Sequence, residues 1–360
     1  MFKKEELVVR IVELKGNYYQ FGLEQGKELI SLTSLEQINQ LGKLTINTNE
    51  LKAKEIVKSV SLNLFQELKG LAEGLEIEID TIIKLFSGFD VVFPKMGCTA
   101  LVKDGYYVRN YDFSPDMYDA RLVFTNPTEG YASVGFSHQV IGRLDGMNEK
   151  GLVVGLHFVN NEHIGEGFIA TTIVRMLLEQ CADIEEAVNL IKKIPHGYCY
   201  NYSITDQSGN SVIVEASPLK QIINFTYPLL CTNHFESNEL REKNRVEIKG
   251  SVNRKKNMSS LLTEIISPMT AYRHFNDGSS PLFYKNYKEY FGTLHTVVYS
   301  PRDLSIIIGI GESCEPMKFS LKNIWREHYL SLKILKGQLI NPYNKLNLFL
   351  HYIMFKCLHK

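Results

Sequence analysis

The sequence predicts an α+β fold in which two antiparallel sheets pack together with helices outside both. Three observations lead there. From residue 98 onward, short runs of strand composition follow one another at 99–102, 106–110, 122–125, 132–136, 140–144 and 152–158. Turn signals such as Lys103-Asp104-Gly105 and Asn148-Glu149-Lys150-Gly151 separate them, and connections this short make hairpins rather than parallel crossovers. A second strand group (201–205, 211–215, 221–224, 229–231) and a final pair (292–299, 304–309) alternate with helical stretches, the grammar of sheets stacked in layers under helices.

In chain order, a strand-like start at 7–12 gives way to a mainly helical stretch from Tyr18 to about Gly88. Ile56, Val60, Leu64, Leu68 and Leu71 recur at helical spacing, Gly70 and Gly74 supply a stop, and Pro94 ends the helical pattern. After the first strand group, 168–180 reads as a helix. A second helix opens at Asp183, an N-cap with Glu186 three residues on, and ends before Pro195. A charged helical region occupies 236–266. The tail after Phe319 is basic and aromatic and carries no assignable chemistry. Its most apolar part, 346–357, is interrupted by Asn347, His351 and Lys356 and reads as a buried or interfacial helix.

Composition narrows the function. The 360 residues fit one large or two ordinary domains, and 44% apolar with 22% charged residues is ordinary for a soluble globular protein. Forty basic residues balance forty acidic ones, so no global field recruits nucleic acid or an anionic membrane; a small-molecule ligand is expected. The start MFKKEELVVRIVEL lacks the apolar core of a secretory signal, and no segment reaches the roughly 18 apolar residues of a membrane span. Cysteines at 98, 181, 199, 231, 314 and 357 lie far apart, which fits reduced thiols in the cytoplasm. The Asn-x-Ser/Thr triplets at Asn201, Asn224 and Asn257 are then chance matches. His196-x-x-Cys199 and Cys231-x-x-His234 have the residue types of a Cys2His2 zinc site, but they flank a strand start and a strand end, so the expectation is no metal and no cofactor.

Cys98 stands where the helical leader meets the first strand, directly after Gly97. A residue without Cβ tolerates strained backbone and leaves its carbonyl open to attack. Attack by the Cys98 thiol on that carbonyl gives a thioester, and hydrolysis leaves Cys98 with both a thiol and its own α-amine. That amine can serve as the base that activates the thiol. The plainer alternative is a small buried cysteine entering a strand. Downstream, Arg109 and Tyr111 share one strand face and Asn110 and Asp112 the other. Arg109 can polarise a thiol and Asp112 can hold an ammonium group; equally, they can be a surface arginine and a turn-forming aspartate. The stretch from Asp145 to Leu152 reads as a hairpin turn. Asn233, at the end of a strand, can aim its amide at a developing oxyanion or cap a turn.

In this order, Cys98-Thr99, Arg109-Asn110-Tyr111-Asp112, Gly146-Met147-Asn148-Glu149-Lys150-Gly151-Leu152 and Thr232-Asn233 resemble the choloylglycine hydrolase and penicillin V acylase family. Gly97-Cys98-Thr99 after a long leader, and the run from Gly16 to Gly26, resemble its sister family, the isopenicillin-N acyltransferases. Both are N-terminal-nucleophile hydrolases, and the resemblance covers roughly residues 7 to 318. It implies a four-layer αββα sandwich and an enzyme that cleaves or transfers the acyl group of a linear amide. It implies a leader of residues 1–97 removed or nicked at Gly97–Cys98, a catalytic core of 98–320 and an extension of 321–360. Cys98 would be nucleophile and, through its amine, base; Arg109 and Asp112 would hold it. Asn233 and the backbone N–H of His157 would form the oxyanion hole, where relatives carry Asn or Tyr in place of His. A later arginine matches Arg254, with Arg273 as fallback. The two fragments would form a heterodimer, or the chain a homo-oligomer. The alternatives are a thiol hydrolase without self-cleavage that uses His157 or His234 as base, a catalytically dead protein of this fold, and the zinc protein.

Overall fold

The computed structural model describes residues 4–32, 38, 42, 44–45, 47–92, 96–162, 164–287, 291–327 and 332–340. The segments around Pro94 and at 346–357 lie wholly or partly outside these residues. The chain opens with β1 (Lys4–Gly16), then helices α1 (Tyr18–Leu32), α2 (Glu50–Val60), α3 (Leu62–Leu75) and α4 (Ile79–Phe86). Strands β2 (Gly97–Lys103), β3 (Tyr106–Phe113), β4 (Arg121–Pro127), β5 (Ser133–His138), β6 (Gly142–Arg143), β7 (Asp145–Asn148) and β8 (Val153–Asn160) follow, then α5 (Ala170–Gln180) and α6 (Ile184–Ile191). Next come β9 (Cys199–Thr205), β10 (Ser211–Ala216), β11 (Gln221–Phe225) and β12 (Leu229–Cys231), then α7 (Lys249–Ser259) and α8 (Pro268–Asn276). The chain closes with β13 (Lys285–Asn286), β14 (Phe291–Ser300), β15 (Ser305–Ile310), β16 (Met317–Ser320), α9 (Leu321–Glu327) and β17 (Ile334–Ile340).

The strands form two sheets. The larger runs β11-β10-β9-β8-β7-β5-β4-β1-β17 with β6 on β5; the smaller runs β12-β2-β3-β14-β15-β16 with β13 on β14. Among the described residues, every ladder between these strands is antiparallel except that of β1 with β4. This α+β sandwich of two sheets is the fold class expected from the sequence. Side-chain alternation explains the layers: Cys98, Ala100 and Val102 of β2, with Tyr107 and Tyr111 of β3, join the core between the sheets. Leu101, Tyr106 and Val108 point the other way, into a second core under α7 and α8 with Met258 and Phe275. Both faces are covered, so β2 and β3 are buried along their whole length. Among the described residues no helix is long and apolar enough to cross a membrane.

Of two readings of the leader, the strand-like start holds and lengthens, while the glycine stop needs correction. Its strand-like start is a strand from Lys4 to Gly16, inside the larger sheet between β4 and β17. Gly70 and Gly74 do not stop a helix; α3 continues through them to Leu75. They face Gly22 and Gly26 of α1, and the fit is backbone against backbone. A Cβ on Gly22 would stand 1.8 Å from the Glu67 carbonyl oxygen, and one on Gly70 1.8 Å from that of Tyr19. Small residues at four-residue spacing on both helices permit this approach, where any side chain would force the helices apart. The reading of α6 needs no change: Asp183 Oδ1 accepts from Glu186 N at 2.9 Å and Glu186 Oε2 from Ala182 N at 2.7 Å.

Candidate active site

Cys98 is buried on the inner face of β2, one residue into the strand. Gly97 lies opposite Asp112, and a Cβ on it would sit 2.1 Å from the Phe291 ring, so only glycine fits beneath that ring. The sulfur points between the sheets. There Arg109, on the same face of β3, donates from Nη2 to Cys98 Sγ at 2.9 Å and to the Leu156 carbonyl at 2.8 Å. Its Nη1 binds Asp145 of β7, fully buried, whose other oxygen accepts from the Tyr299 hydroxyl at 2.7 Å.

The backbone of Cys98 is held from the outer side. Its N–H donates to Asn233 Oδ1 at 2.8 Å. Arg254, on α7, donates from Nη1 to the Cys98 carbonyl at 2.9 Å, to Thr99 Oγ1 at 3.0 Å and to Asp112 Oδ2 at 3.1 Å. Its Nη2 donates to Asn233 Oδ1 at 2.7 Å. Because both partners of Oδ1 are donors only, the amide orientation of Asn233 is fixed, and Nδ2 faces the Phe158 carbonyl at 2.8 Å. Thr293 donates to the other Asp112 oxygen at 2.7 Å. The loop bearing Asn233 is pinned by Asn201, whose Nδ2 donates to the Thr232 and His234 carbonyls at 3.1 and 2.8 Å, and by Ser251 Oγ on Asn233 N at 2.7 Å.

Burial dominates the protonation states. It pushes the Cys98 thiol up to about 12, against the pull of Arg109 and Arg254, so in the intact chain the sulfur is a neutral thiol at pH 7. Burial also raises Asp112, with Arg254 and the Thr293 hydroxyl pulling back. For Asp145 burial acts upward too, but Arg109, His295 and Tyr299 together outweigh it and hold that carboxyl below its usual value. Burial, reinforced by Arg109, drives His157 well below the ordinary histidine range, so its ring is neutral. His157 stands opposite Asn201 in the β8–β9 ladder. Its Nε2 meets Ser203 Oγ at 2.8 Å, and its ring lies against the Cys98 backbone with no aligned hydrogen bond at Nδ1.

The structure therefore brings Arg109, Asn233 and Arg254 into direct contact with Cys98, while Asp112 reaches it through Arg254. Arg273, the fallback for Arg254, is exposed on α8. Neither candidate histidine base touches the sulfur: His157 turns to Ser203, and His234 Nδ1 to Thr232 and Ser251. Among the described residues no three His, Cys, Asp or Glu side chains converge on a metal position, so His196, Cys199, Cys231 and His234 form no zinc site. Every described cysteine is a free thiol. Sequence reasoning does not find Asp145, Thr293, Ser251 or Tyr299. For Asp145 a signal is present, an acidic residue immediately before the Gly146–Leu152 motif, but in the sequence it reads as part of a turn. In that motif Asn148 caps the turn, accepting from Lys150 and Leu152 N–H at 3.1 Å, and ties it to the Leu178 and Cys181 carbonyls at 3.0 and 2.7 Å.

Residues 101–313, more than half the chain, match the family model described as acyl-coenzyme A:6-aminopenicillanic acid acyl-transferase. The chain belongs to that family. Membership places it among the N-terminal-nucleophile enzymes that act on amides, and the match begins just after Cys98. Similar solved structures include penicillin V acylase from Agrobacterium tumefaciens, at 14% identity and TM-score 0.43, covering 63% of this chain and 87% of that one. Another is a point mutant of conjugated bile acid hydrolase from Clostridium perfringens, at 12% identity and TM-score 0.43, covering 70% and 100%. A third is an N-acylethanolamine-hydrolyzing acid amidase ortholog from Caenorhabditis elegans, at 11% and 0.39, covering 57% and 93%. No curated protein sequence matches the chain.

Proposed function

We propose that the folded chain breaks its own Gly97–Cys98 bond and that the Cys98 so exposed attacks linear amides, passing the acyl group through a thioester to water or to an amine. The observation that carries this reading is that Cys98 is gripped at two atoms the chemistry uses. Arg109 lies 2.9 Å from the sulfur, and Asn233 Oδ1 lies 2.8 Å from the nitrogen that cleavage would free. While that nitrogen is an amide it cannot accept a proton at neutral pH. As an amine, with an ordinary pKa of about 8, it can take the thiol proton. Arg109 then steadies the thiolate, Arg254 and Asp112 hold the Cys98 backbone, and the amine returns its proton to the leaving nitrogen when the C–N bond breaks. The Asn233 amide and the His157 backbone N–H are the proposed donors to the oxyanion. The compartment proposed is the cytoplasm, with the leader kept as partner of the core.

Intact mass and N-terminal sequencing of freshly purified protein test the reading. The expected result is a fragment beginning at Cys98, formed without added protease. Cys98→Ala should stay one chain and be inactive, and Cys98→Ser should cleave slowly at best, a hydroxyl being the poorer nucleophile. Wild-type chain found intact yet active on an amide overturns the mechanism in favour of a thiol hydrolase that needs no free amine.

A further inference from the structure

Behind Arg109 lies a buried group that the reaction itself does not use. His295 is fully buried in β14, its ring stacked on Phe136 at 3.6 Å between centroids and against Tyr111 and Tyr118. The Tyr118 hydroxyl is 2.7 Å from Nδ1, and Nε2 faces Asp145 Oδ2 at 3.6 Å. These contacts choose the tautomer. With Nδ1 accepting the Tyr118 proton, Nε2 carries the ring hydrogen toward the carboxylate; the other tautomer would set a lone pair against a buried negative charge. At 3.6 Å the contact is longer than a hydrogen bond, so the ring acts on Asp145 through its dipole.

A backbone irregularity puts His295 there. β14 pairs Thr293 with Asp112 but His295 with Tyr111, so Leu294 is an extra residue, a β-bulge. In a regular strand Thr293 and His295 would share a face. The bulge sends them to opposite faces, Thr293 outward to Asp112 and His295 inward to Asp145. One extra residue thus serves both carboxylates of the site.

We propose that His295 is a positioning residue for the nucleophile: fixed by Tyr118, it presents Nε2–H to Asp145 and, with Tyr299, keeps that carboxylate aimed so that Arg109 stays on the Cys98 sulfur. The proposal rests on Cys98 being the nucleophile. The charged and titratable groups around the ring are Asp145 from β7, Arg109 and Tyr111 from β3, Tyr118 from the segment before β4, and Tyr299 farther along β14.

The test measures the pH dependence of iodoacetamide alkylation at Cys98 in the cleaved protein, together with the half-time of self-cleavage. His295→Phe keeps the ring stack and removes the N–H. It should move the alkylation midpoint up by about one pH unit, slowing alkylation about tenfold below it, and should lengthen the cleavage half-time. His295→Gln, whose amide can still offer an N–H, should recover much of the wild-type profile, and Tyr118→Phe should shift it less and in the same direction. A wild-type profile for His295→Phe overturns the proposal. So does a His295→Gln chain as impaired as His295→Phe, since stacking or folding alone would then explain both. A wild-type chain that neither cleaves nor alkylates at Cys98 instead overturns the nucleophile reading, and the proposal with it.

Discussion

The buried arginine–carboxylate clusters around Arg175 and around Arg109 differ in where the arginine donors end. At the leader–core junction, Arg175 of α5 binds Glu67 of α3 and Glu179 of its own helix, all fully buried. Glu67 also accepts from Gln25 Nε2 at 2.7 Å, and Gln25 Oε1 from Arg121 at 3.4 Å. Beyond those carboxylates, Arg175 reaches the Ile141 carbonyl at 3.0 Å and lies over the Tyr18 ring, and meets no reactive atom among the described residues. At the proposed active site, Arg109 spends one arm on Asp145 and presents the other to a thiol. Arg254 likewise spends one contact on Asp112 and turns others to the Cys98 carbonyl and the Asn233 amide. A buried ion pair by itself says little about function; the donor left over and aimed at a thiol separates the proposed catalytic cluster from the one around Arg175.

The largest expected effect comes from deleting the arginine of each cluster. Arg109→Leu and Arg175→Leu each strand buried carboxylates, and each should cost about 3–5 kcal/mol of stability in a denaturant titration. Their chemistry should diverge. Arg109→Leu should slow self-cleavage by about 10²–10³-fold per folded molecule, as loss of a single preorganised donor does. Arg175→Leu should cleave at the wild-type rate once folded. Equal losses of cleavage rate in the two variants would erase the distinction.

A middle-sized effect concerns pH and the structural cluster alone. Burial raises Glu179 to about 7, against the pull of Arg175 and with Glu67 adding to the rise. Its folded pKa therefore exceeds the usual carboxylate value near 4.3. Between these values the unfolded chain has lost the proton and the folded chain keeps it, so this group makes stability fall as pH rises from about 4.5 to about 7, with no further change above. Glu179→Gln should flatten that part of the stability profile while leaving the alkylation profile of Cys98 unmoved. Asp119 has the opposite sign: despite burial, Arg121, Ser137 and the Val140 N–H hold it at about 2, so its contribution is lost only in acid, as pH falls below about 4.

Much of this is legible in the sequence, and the exceptions have physical causes. Hairpin turns fix local register through nearby residues, so the strands after Cys98 can be read from turn chemistry and alternation. Cys98, Arg109, Asp112, Asn233 and Arg254 can be named from motif order. What local patterns do not carry is pairing across long separations. The parallel β1–β4 contact joins residues more than a hundred positions apart, and the bulge at Leu294 leaves no mark in composition. Asp145 stays hidden because a buried aspartate and a turn aspartate are the same letter. Glycines closing a helix pair look like helix breakers for a similar reason: their role depends on Gly22 and Gly26, on a helix far upstream.

The smallest expected effect tests what keeps the leader in place. Apart from the buried junction, the leader meets the tail where β1 pairs with β17, and there Lys336 lies 3.2 Å from Glu6, both more than half exposed. Exposed pairs contribute about 0–1 kcal/mol, because water already solvates both charges and salt screens what remains. Lys336→Ala should therefore shift the unfolding midpoint by no more than that, and less still in high salt. In the cleaved protein it should leave the leader bound through size-exclusion chromatography. Arg175→Leu should weaken that retention, because Glu67 precedes the proposed cleavage site and Arg175 follows it, and their pairing is sheltered from water. If Lys336→Ala released the leader while Arg175→Leu did not, the fragments would be held by the sheet edge, and the buried cluster would serve the interior of each fragment rather than their union.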